Sequence, residues 1–157
     1  MKPFDGFSDG KARLVPIPSS FFTELLPGIQ DLAELKLILY FMWRLDHLEG
    51  TFRSLSRSDL AEDELFMQGL ADPDADPQLA LDGALERLVQ RKALLKAEMT
   101  AGDAPQAYYF LNSPKGRAAL EAIRQGKWRP SREARQVVSI SQERPKSSAC
   151  MKKTSAP

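Results

Sequence analysis

Residues 76–111 read DPQLALDGALERLVQRKALLKAEMTAGDAPQAYYFL, and this stretch decides the fold. Asp76 can cap a helix that begins at Pro77, a position that tolerates proline because its missing N–H has no helical partner. Apolar residues then recur at the helical spacing. They are Leu81, Ala84, Leu85, Leu88 and Val89. The pattern predicts an amphipathic helix from Pro77 to about Arg91.

The second half of the same stretch has the composition of a β-hairpin. Two β-prone runs, Leu94–Met99 and Ala107–Leu111, flank a polar link that contains Gly102. Runs of this kind around a glycine-containing link predict two antiparallel strands. Tyr108 and Tyr109 alternate along the second strand, so we expect one of them to face the core and the other to face solvent.

Upstream, residues 31–50 give the clearest helical pattern in the chain. Asp31 and Glu34, three residues apart, resemble a capping box, and Gly50 is a natural stop. The helical period is followed by Leu32, Leu35, Ile38, Leu39, Met42 and Leu45. Because further apolar residues extend around its girth, we expect this helix to be central or to be covered by a partner.

Shorter elements complete the pattern. They are a helix Phe21–Leu26, a strand Thr51–Leu55, a helix from Ser56 to about Gln68 and a helix from Ser113 to Gly126. The order is helix, helix, strand, helix, helix, strand, strand, helix, which is typical of a winged helix-turn-helix fold. The predicted fold class is therefore α+β, mainly α with a small β-hairpin, followed by a disordered basic tail.

Composition and charge divide the chain into three parts. We predict an N-terminal arm over residues 1–18, a winged-helix domain over 19–128 and a disordered basic tail over 129–157 that buries too little apolar surface to fold. Residues 1–113 contain 11 Lys and Arg against 18 Asp and Glu, a net charge of −7. Residues 114–157 contain 11 against 3, a net charge of +8. Such an asymmetry bears on partners rather than on fold.

The sequence lacks the parts of a catalytic or metal site. His47 is the only histidine and Cys150 the only cysteine, so zinc sites, Cys/His dyads and Ser-His-Asp triads are excluded. No glycine-rich phosphate loop occurs, and the acidic residues 62–64 indicate a solvated helix face rather than Mg²⁺ ligands. We expect a non-enzyme without cofactor or metal. Without a signal-peptide core or a bilayer-length apolar run, we expect it to be cytoplasmic and to have no membrane contact.

The helix before the hairpin of a winged helix usually enters the major groove of DNA. Here its outward face carries Asp82 and Glu86, an acidic pair that opposes the phosphate neutralisation on which duplex affinity depends. The candidate nucleic-acid contacts are Arg87, Gln90, Arg91, Lys92, Lys96, Lys115 and Arg117. Ordinary surface charge explains them equally well. We therefore expect weak, salt-sensitive binding to DNA.

Apolar residues are more plentiful than a domain of this size readily buries. The candidate interface residues are Phe4, Phe7, Phe21, Phe22, Tyr40 and Trp43. Excess apolar surface in a globular protein often marks an interface, so we expect a homo-oligomer. A well-filled core is the alternative explanation.

Several stretches resemble the N-terminal domain of DnaD-like primosomal proteins. They are Ile17–Phe22, Glu34–Tyr40, Leu60–Asp63, Ala84–Glu86, Tyr109–Asn112 and Gly116–Leu120. The resemblance covers residues 14–128 and implies a replication-initiation module that self-associates without catalysis. It also implies contacts with primosome proteins such as a replication initiator or a helicase loader. In that family much of the DNA binding lies in a separate C-terminal domain, which we expect this chain to lack.

The residues Lys146–Pro157 suggest a reason for that expectation. Back-translated with free codon choice and read two bases later, they permit a string that resembles the opening of the family's C-terminal domain, Ile-Ile-Arg-Leu-Tyr-Glu-Glu-Asn-Ile-Gly-Pro. We hypothesise that a frameshift truncated a two-domain protein just past its linker, which would leave it partly or wholly inactive. The coding DNA, read in all frames, tests this hypothesis.

Two other functions compete with a replication role. A winged-helix transcriptional regulator would bind duplex DNA as a dimer and in a sequence-dependent way. Alternatively, the basic residues 114–157 would give nonspecific nucleic-acid binding that weakens steeply with salt. Deleting residues 129–157 separates tail-borne binding from binding by the domain.

Overall fold

The computed structural model describes residues 3–8, 10, 12–101 and 104–130. Its helices are α1 (Leu32–Asp46), α2 (Arg57–Ala61), α3 (Glu64–Leu70), α4 (Pro77–Gln90) and α5 (Pro114–Arg124), and its strands are β1 (Leu55–Ser56), β2 (Leu94–Ala101) and β3 (Ala104–Leu111). A π-helical turn, Phe21–Leu25, and a 3-10 turn, Leu26–Gly28, precede α1.

The predicted α+β class, mainly helical with a small antiparallel sheet, is confirmed. Within the described ranges, no helix has both the length and the apolar character needed to cross a membrane. The predicted disordered tail comprises residues 129–157. Residues 131–157 lie outside the described residues, so that prediction is not tested for them.

Side-chain caps start α1, α2, α4 and α5. The Asp31 carboxylate accepts a hydrogen bond of 3.0 Å from a backbone N–H in the first turn of α1. Ser56 and Asp59 exchange hydrogen bonds in a complete capping box. Asp76 and Ser113 cap α4 and α5 ahead of a proline in the first turn. Each cap satisfies a backbone donor that has no partner within its helix.

The single helix predicted from Ser56 to about Gln68 is wrong. The chain forms two short helices, α2 and α3, and Asp63 lies at the break between them. The Asp63 carboxylate accepts a hydrogen bond from the Phe66 N–H at 3.1 Å and so caps α3. An aspartate that competes for backbone N–H groups favours a new helix start over a continuing helix, even within one run of helical periodicity.

The sheet has the order β1-β3-β2, so β3 lies at its centre. Leu94 pairs with Leu111 in the β2–β3 hairpin, and Leu55 of β1 pairs with Tyr109. The predicted hairpin is confirmed, it contacts α4, and both of its strands extend further than the predicted runs. The first strand, however, is only two residues long and begins where the predicted strand Thr51–Leu55 ends.

Both faces of this sheet are covered. Tyr109 packs in the main core, to which α1 and α4 contribute most of the residues. Tyr108 and Phe110 face the other side, where they pack with Ala119 of α5 and with Trp128. The prediction that one tyrosine faces solvent is therefore wrong, because α5 and the segment after it cover the second face.

The buried side of α1 overlaps the predicted stripe only in part. Ile38, Met42 and Leu45 are buried as that stripe predicts, whereas Leu32 and Leu39 are exposed. The buried residues of α1 are Glu34, Leu37, Ile38, Phe41, Met42, Arg44 and Leu45. Because α1 is apolar on two sides, its periodicity alone fits either orientation. The orientation that forms places the Glu34 carboxylate against Arg91 of the chain that leaves α4.

Part of the predicted N-terminal arm is docked on the helical layer. The Arg13 guanidinium binds the Asp46 carboxylate at 2.8 Å, and this hydrogen bond lowers the pKa of Asp46 below its usual value. Ile17 packs against the main core. Phe4 and Phe7, nearer the N-terminus, are 72% and 92% exposed, and their rings meet edge to face with centroids 4.9 Å apart.

Candidate functional site

The junction between α4 and β2 carries several of the predicted nucleic-acid contacts. Lys92 has a φ angle of 65°, in the left-handed region that favours glycine. The Ala93 N–H donates to the Leu88 carbonyl at 2.9 Å, which ends α4 in the manner of a Schellman motif. This turn leaves the Lys92 side chain exposed beyond the end of the helix.

The C-terminal half of α4 is bound to α1 through a buried carboxylate. Glu34 has no exposed surface, and the Arg91 guanidinium binds it through Nε. Arg87 Nε lies 3.6 Å from Glu34 Oε1, and Arg87 Nη2 lies 2.8 Å from the Asp31 carboxylate. Two predicted nucleic-acid contacts, Arg87 and Arg91, are thus ion-paired within the domain. We call Glu34, Asp31, Arg87 and Arg91 the buried cluster after the Glu34 carboxylate, although the side chains of Arg87 and Asp31 are themselves 44% and 43% exposed.

The N-terminal half of α4 is bound to α2 at the surface. Arg57 Nε lies 2.5 Å from Asp82 Oδ1, and Arg57 Nη2 donates to the Gln78 side chain at 2.8 Å. The hydrogen bond to Asp82 raises the pKa of the Arg57 guanidinium. Asp82 is therefore charge-compensated, and Glu86 is left as the member of the predicted acidic pair that has no ion pair among the described residues. We call Arg57, Asp82 and Gln78 the exposed cluster.

A groove of about 340 Å³ runs between α4 and β2. Its lining brings together two predicted contacts, Gln90 and Lys96, with Glu86 and Tyr109. Lys96 Nζ is 3.3 Å from the Glu98 carboxylate of the same strand. Burial raises the pKa of the Tyr109 phenol. With its one lysine paired and an acid beside it, this groove is poorly suited to phosphate groups.

The last two predicted contacts, Lys115 and Arg117, lie at the tight start of α5. A Cβ at Gly116 would lie 1.9 Å from the Leu111 carbonyl oxygen, so glycine alone fits this junction. Arg117 donates to the Asn112 side chain at 2.9 Å, and Asn112 donates to the Lys92 carbonyl at 2.7 Å. The structure therefore groups Lys92 with Arg117 and separates them from the α4–β2 groove.

The predicted interface residues fall into three groups. Phe4, Phe7 and Phe22 are exposed. The prediction of Phe21 as an interface residue is wrong, because its ring is buried in the main core. Tyr40 and Trp43 are half-buried on α1. The Tyr40 ring stacks on Phe66 of α3, with centroids 3.8 Å apart, so most of its contact lies within the domain.

A polar network that the sequence analysis did not predict lies beside this aromatic pair. The Tyr40 hydroxyl donates to the Asp63 carboxylate at 2.5 Å and accepts a hydrogen bond from Arg44 Nη1 at 2.7 Å. Burial, reinforced by the bond to Asp63, raises the pKa of Tyr40 well above its usual value. Arg44 is buried, and its Nε has no hydrogen-bond partner within the part of the chain that the structure describes. The spacing of Tyr40 and Arg44, four residues apart on one helix, was the available signal.

The described residues contain no cluster of His, Cys, Asp and Glu side chains suited to a metal ion. His47, at the end of α1, donates from Nδ1 to the Trp43 carbonyl at 2.8 Å, which suits the negative end of a helix dipole. No protein-family model, curated protein or solved structure shows significant similarity to this chain.

Proposed function

We propose that this chain is a winged-helix module of the DnaD-like type, which acts in DNA replication by self-association and by contacts with primosome proteins, without catalysis. The element order supports the winged-helix assignment, with α4 as the helix ahead of the β2–β3 wing. The break between α2 and α3 is a departure from the simplest form of that arrangement.

The state of the α4 arginines is the observation that carries the proposal. A helix that grips duplex DNA presents free cations to the phosphates. The guanidiniums of Arg87 in α4 and of Arg91 just after it are bound to carboxylates of the buried cluster, and Glu86 is exposed. This helix suits a structural role better than a DNA-reading role.

The exposed apolar residues support association with other proteins. Phe4, Phe7 and Phe22 project from the N-terminal segment, and Leu65 projects from α3. Apolar side chains of this size at the surface are favourable contact points because their burial removes apolar area from water. The partners that the resemblance suggests are a second copy, a replication initiator and a helicase loader.

Sedimentation velocity of the full chain over a range of concentrations tests the proposal, followed by binding to purified replication initiator and helicase loader. We expect a concentration-dependent oligomer and binding to at least one of these proteins. Phe4→Ser with Phe7→Ser should weaken binding, whereas Leu14→Ser, an equally apolar and exposed position on the same arm, should not. A strict monomer that binds neither protein would contradict the proposal.

A winged-helix transcriptional regulator is the second candidate. The group of Lys92, Lys115 and Arg117 near the start of α5 favours it, because all three side chains are exposed cations. Selection from a random duplex library distinguishes the two functions. A regulator enriches a defined, near-palindromic site, whereas the proposed replication module enriches none. Loss of all binding when residues 129–157 are deleted would instead assign nucleic-acid binding to the tail.

A further inference from the structure

The strand β2 has an open edge. It is eight residues long, and in the sheet order β1-β3-β2 it has one neighbouring strand among the described residues. An edge strand presents backbone N–H and C=O groups that can pair with another chain.

The hydrogen bonds of the hairpin fix which backbone groups point outward. The Asn112 N–H donates to the Ala93 carbonyl at 3.1 Å, so residues 93 and 112 form a hydrogen-bonded pair. Hydrogen-bonded and non-hydrogen-bonded pairs alternate along an antiparallel ladder. The odd-numbered residues of β2 therefore bond to β3. The backbone groups that point to the open edge belong to Leu94, Lys96, Glu98 and Thr100.

The side chains of β2 divide between the two faces of the sheet. Lys96 and Glu98 lie on the α4 face, as does Tyr109, the partner of Lys96, and both charged side chains are open to solvent. Leu95 and Met99 lie on the α5 face, where they are half-buried at the margin of the second core. The strand thus carries opposite charges on one face and two apolar residues on the other, symmetric about Ala97.

We propose that a second copy of this chain adds its β2 to this edge, antiparallel and centred on Ala97. Two copies related by a twofold axis perpendicular to the sheet must pair residues of the same face. Centred on Ala97, Lys96 lies opposite Glu98 of the partner copy, and Leu95 lies opposite Met99 of the partner copy. These pairs are charge-complementary and apolar, respectively.

The neighbouring registers are disfavoured by charge. Centring the pair on Lys96 places two lysines opposite each other, and centring it on Glu98 places two glutamates opposite each other. Like charges directly across a strand pair are destabilising, so the charges select one register. The β2 edge is thus the surface for the self-association proposed above, on which this inference rests. Its partner is a second copy of the chain rather than an extended peptide of another protein.

Charge reversal tests the proposed contact, with sedimentation velocity of the full chain as the measurement. Lys96→Glu and Glu98→Lys each place like charges opposite, so each should raise the dimer dissociation constant by about tenfold or more. The double variant K96E/E98K restores opposite charges across the interface and should return the constant to within about threefold of wild type. Glu121→Lys, an exposed charge reversal on α5, is the control and should have no effect.

A backbone variant keeps the test independent of side-chain effects. The Thr100 N–H points to the open edge, so Thr100→Pro removes an outward donor while leaving the bonds to β3 in place. It should weaken the dimer as the single reversals do. Circular dichroism of each variant establishes that the domain remains folded.

Cross-linking tests the register. In a Cys150→Ser background, Ala97→Cys should form a disulfide dimer, because residues opposite each other in a non-hydrogen-bonded pair have Cα atoms about 4.5 Å apart. Thr100→Cys lies opposite residue 94 of the partner copy and should not cross-link.

The outcomes separate this proposal from the proposed function. A wild-type chain that is monomeric at all concentrations overturns the edge pairing, and it overturns the proposed function as well if it binds neither the replication initiator nor the helicase loader. A wild-type dimer that resists both charge reversals and does not cross-link through residue 97 overturns the edge pairing alone. Binding of an extended peptide to β2 of a monomeric chain would also overturn it.

Discussion

The two halves of α4 form the same kind of ion pair in different surroundings. In the buried cluster, Arg91 binds a Glu34 carboxylate that has no exposed surface. In the exposed cluster, Arg57 binds an Asp82 carboxylate, and both side chains remain open to solvent. Each pair joins α4 to another helix, so the difference between them isolates the effect of burial.

Burial decides which of these contacts holds the domain together. A buried carboxylate that loses its partner pays a large desolvation cost, whereas an exposed pair is screened by water and salt. The buried cluster therefore fixes α1 against α4 and uses two arginines in doing so. Substitutions in the exposed cluster should therefore be tolerated without loss of the fold.

The largest effect should follow from Arg91→Ala. This variant leaves Glu34 buried, with the Arg87 Nε at 3.6 Å as its remaining partner in the buried cluster. We expect a loss of about 3 kcal/mol in the free energy of unfolding, measured by urea denaturation. A loss below about 1 kcal/mol would mean that the buried pair behaves as an exposed one does, and the comparison would fail.

Tyr40→Phe extends the comparison to Arg44, the other buried charged residue of α1. Removing the hydroxyl leaves Arg44 and Asp63 without their shared partner, and we expect a loss of about 1–2 kcal/mol at neutral pH. Because the pKa of Tyr40 is raised in the folded protein, its stabilisation is complete below the unfolded pKa and is lost as the pH rises above it. The difference between wild type and variant should narrow in denaturation curves above pH of about 10. A difference in the free energy of unfolding that does not change with pH would mean that the pKa of Tyr40 is not raised in the folded protein.

Lys92→Gly sharpens the comparison at the end of the buried half. Glycine adopts the left-handed conformation of this position without a steric penalty, so we expect a gain of about 1 kcal/mol. The thermal midpoint should rise by a few degrees. Lys96→Gly, at an extended strand position, is the control and should lower the midpoint. A lower midpoint for Lys92→Gly would mean that the lysine side chain makes a stabilising contact.

The smallest effect should follow from Arg57→Ala in the exposed cluster. We expect a loss below about 1 kcal/mol in low salt, and a smaller one in 1 M salt, where exposed charges are screened. Denaturation at both salt concentrations measures it. A loss as large as that of Arg91→Ala, or one that salt does not reduce, would remove the distinction between the two clusters.

Local signals in the sequence predict most of the elements. The caps at Asp31, Ser56, Asp76 and Ser113 and the hairpin run are short-range patterns, and each is found in the structure. Asp63 is the exception. It caps α3 within a stretch whose hydrophobic spacing continues without a break, so the spacing alone does not reveal the start of a new helix.

Long-range contacts explain what the sequence could not provide. The buried cluster joins residues 34 and 91, and no pattern within either segment specifies that pairing. The buried side of α1 is the one that carries Glu34, and Leu32 and Leu39 are exposed although they follow the helical period. The cover over Tyr108 likewise depends on Trp128, which returns to the sheet from beyond α5.

The most direct test of the account is a titration of labelled duplex DNA with the chain ended after Pro130, which keeps the described domain and removes the tail. With α4 committed to the buried cluster, we predict a dissociation constant no tighter than the nonspecific range of about 10⁻⁶ to 10⁻⁴ M, independent of sequence. Binding of one duplex sequence in the nanomolar range, at physiological salt, would contradict it.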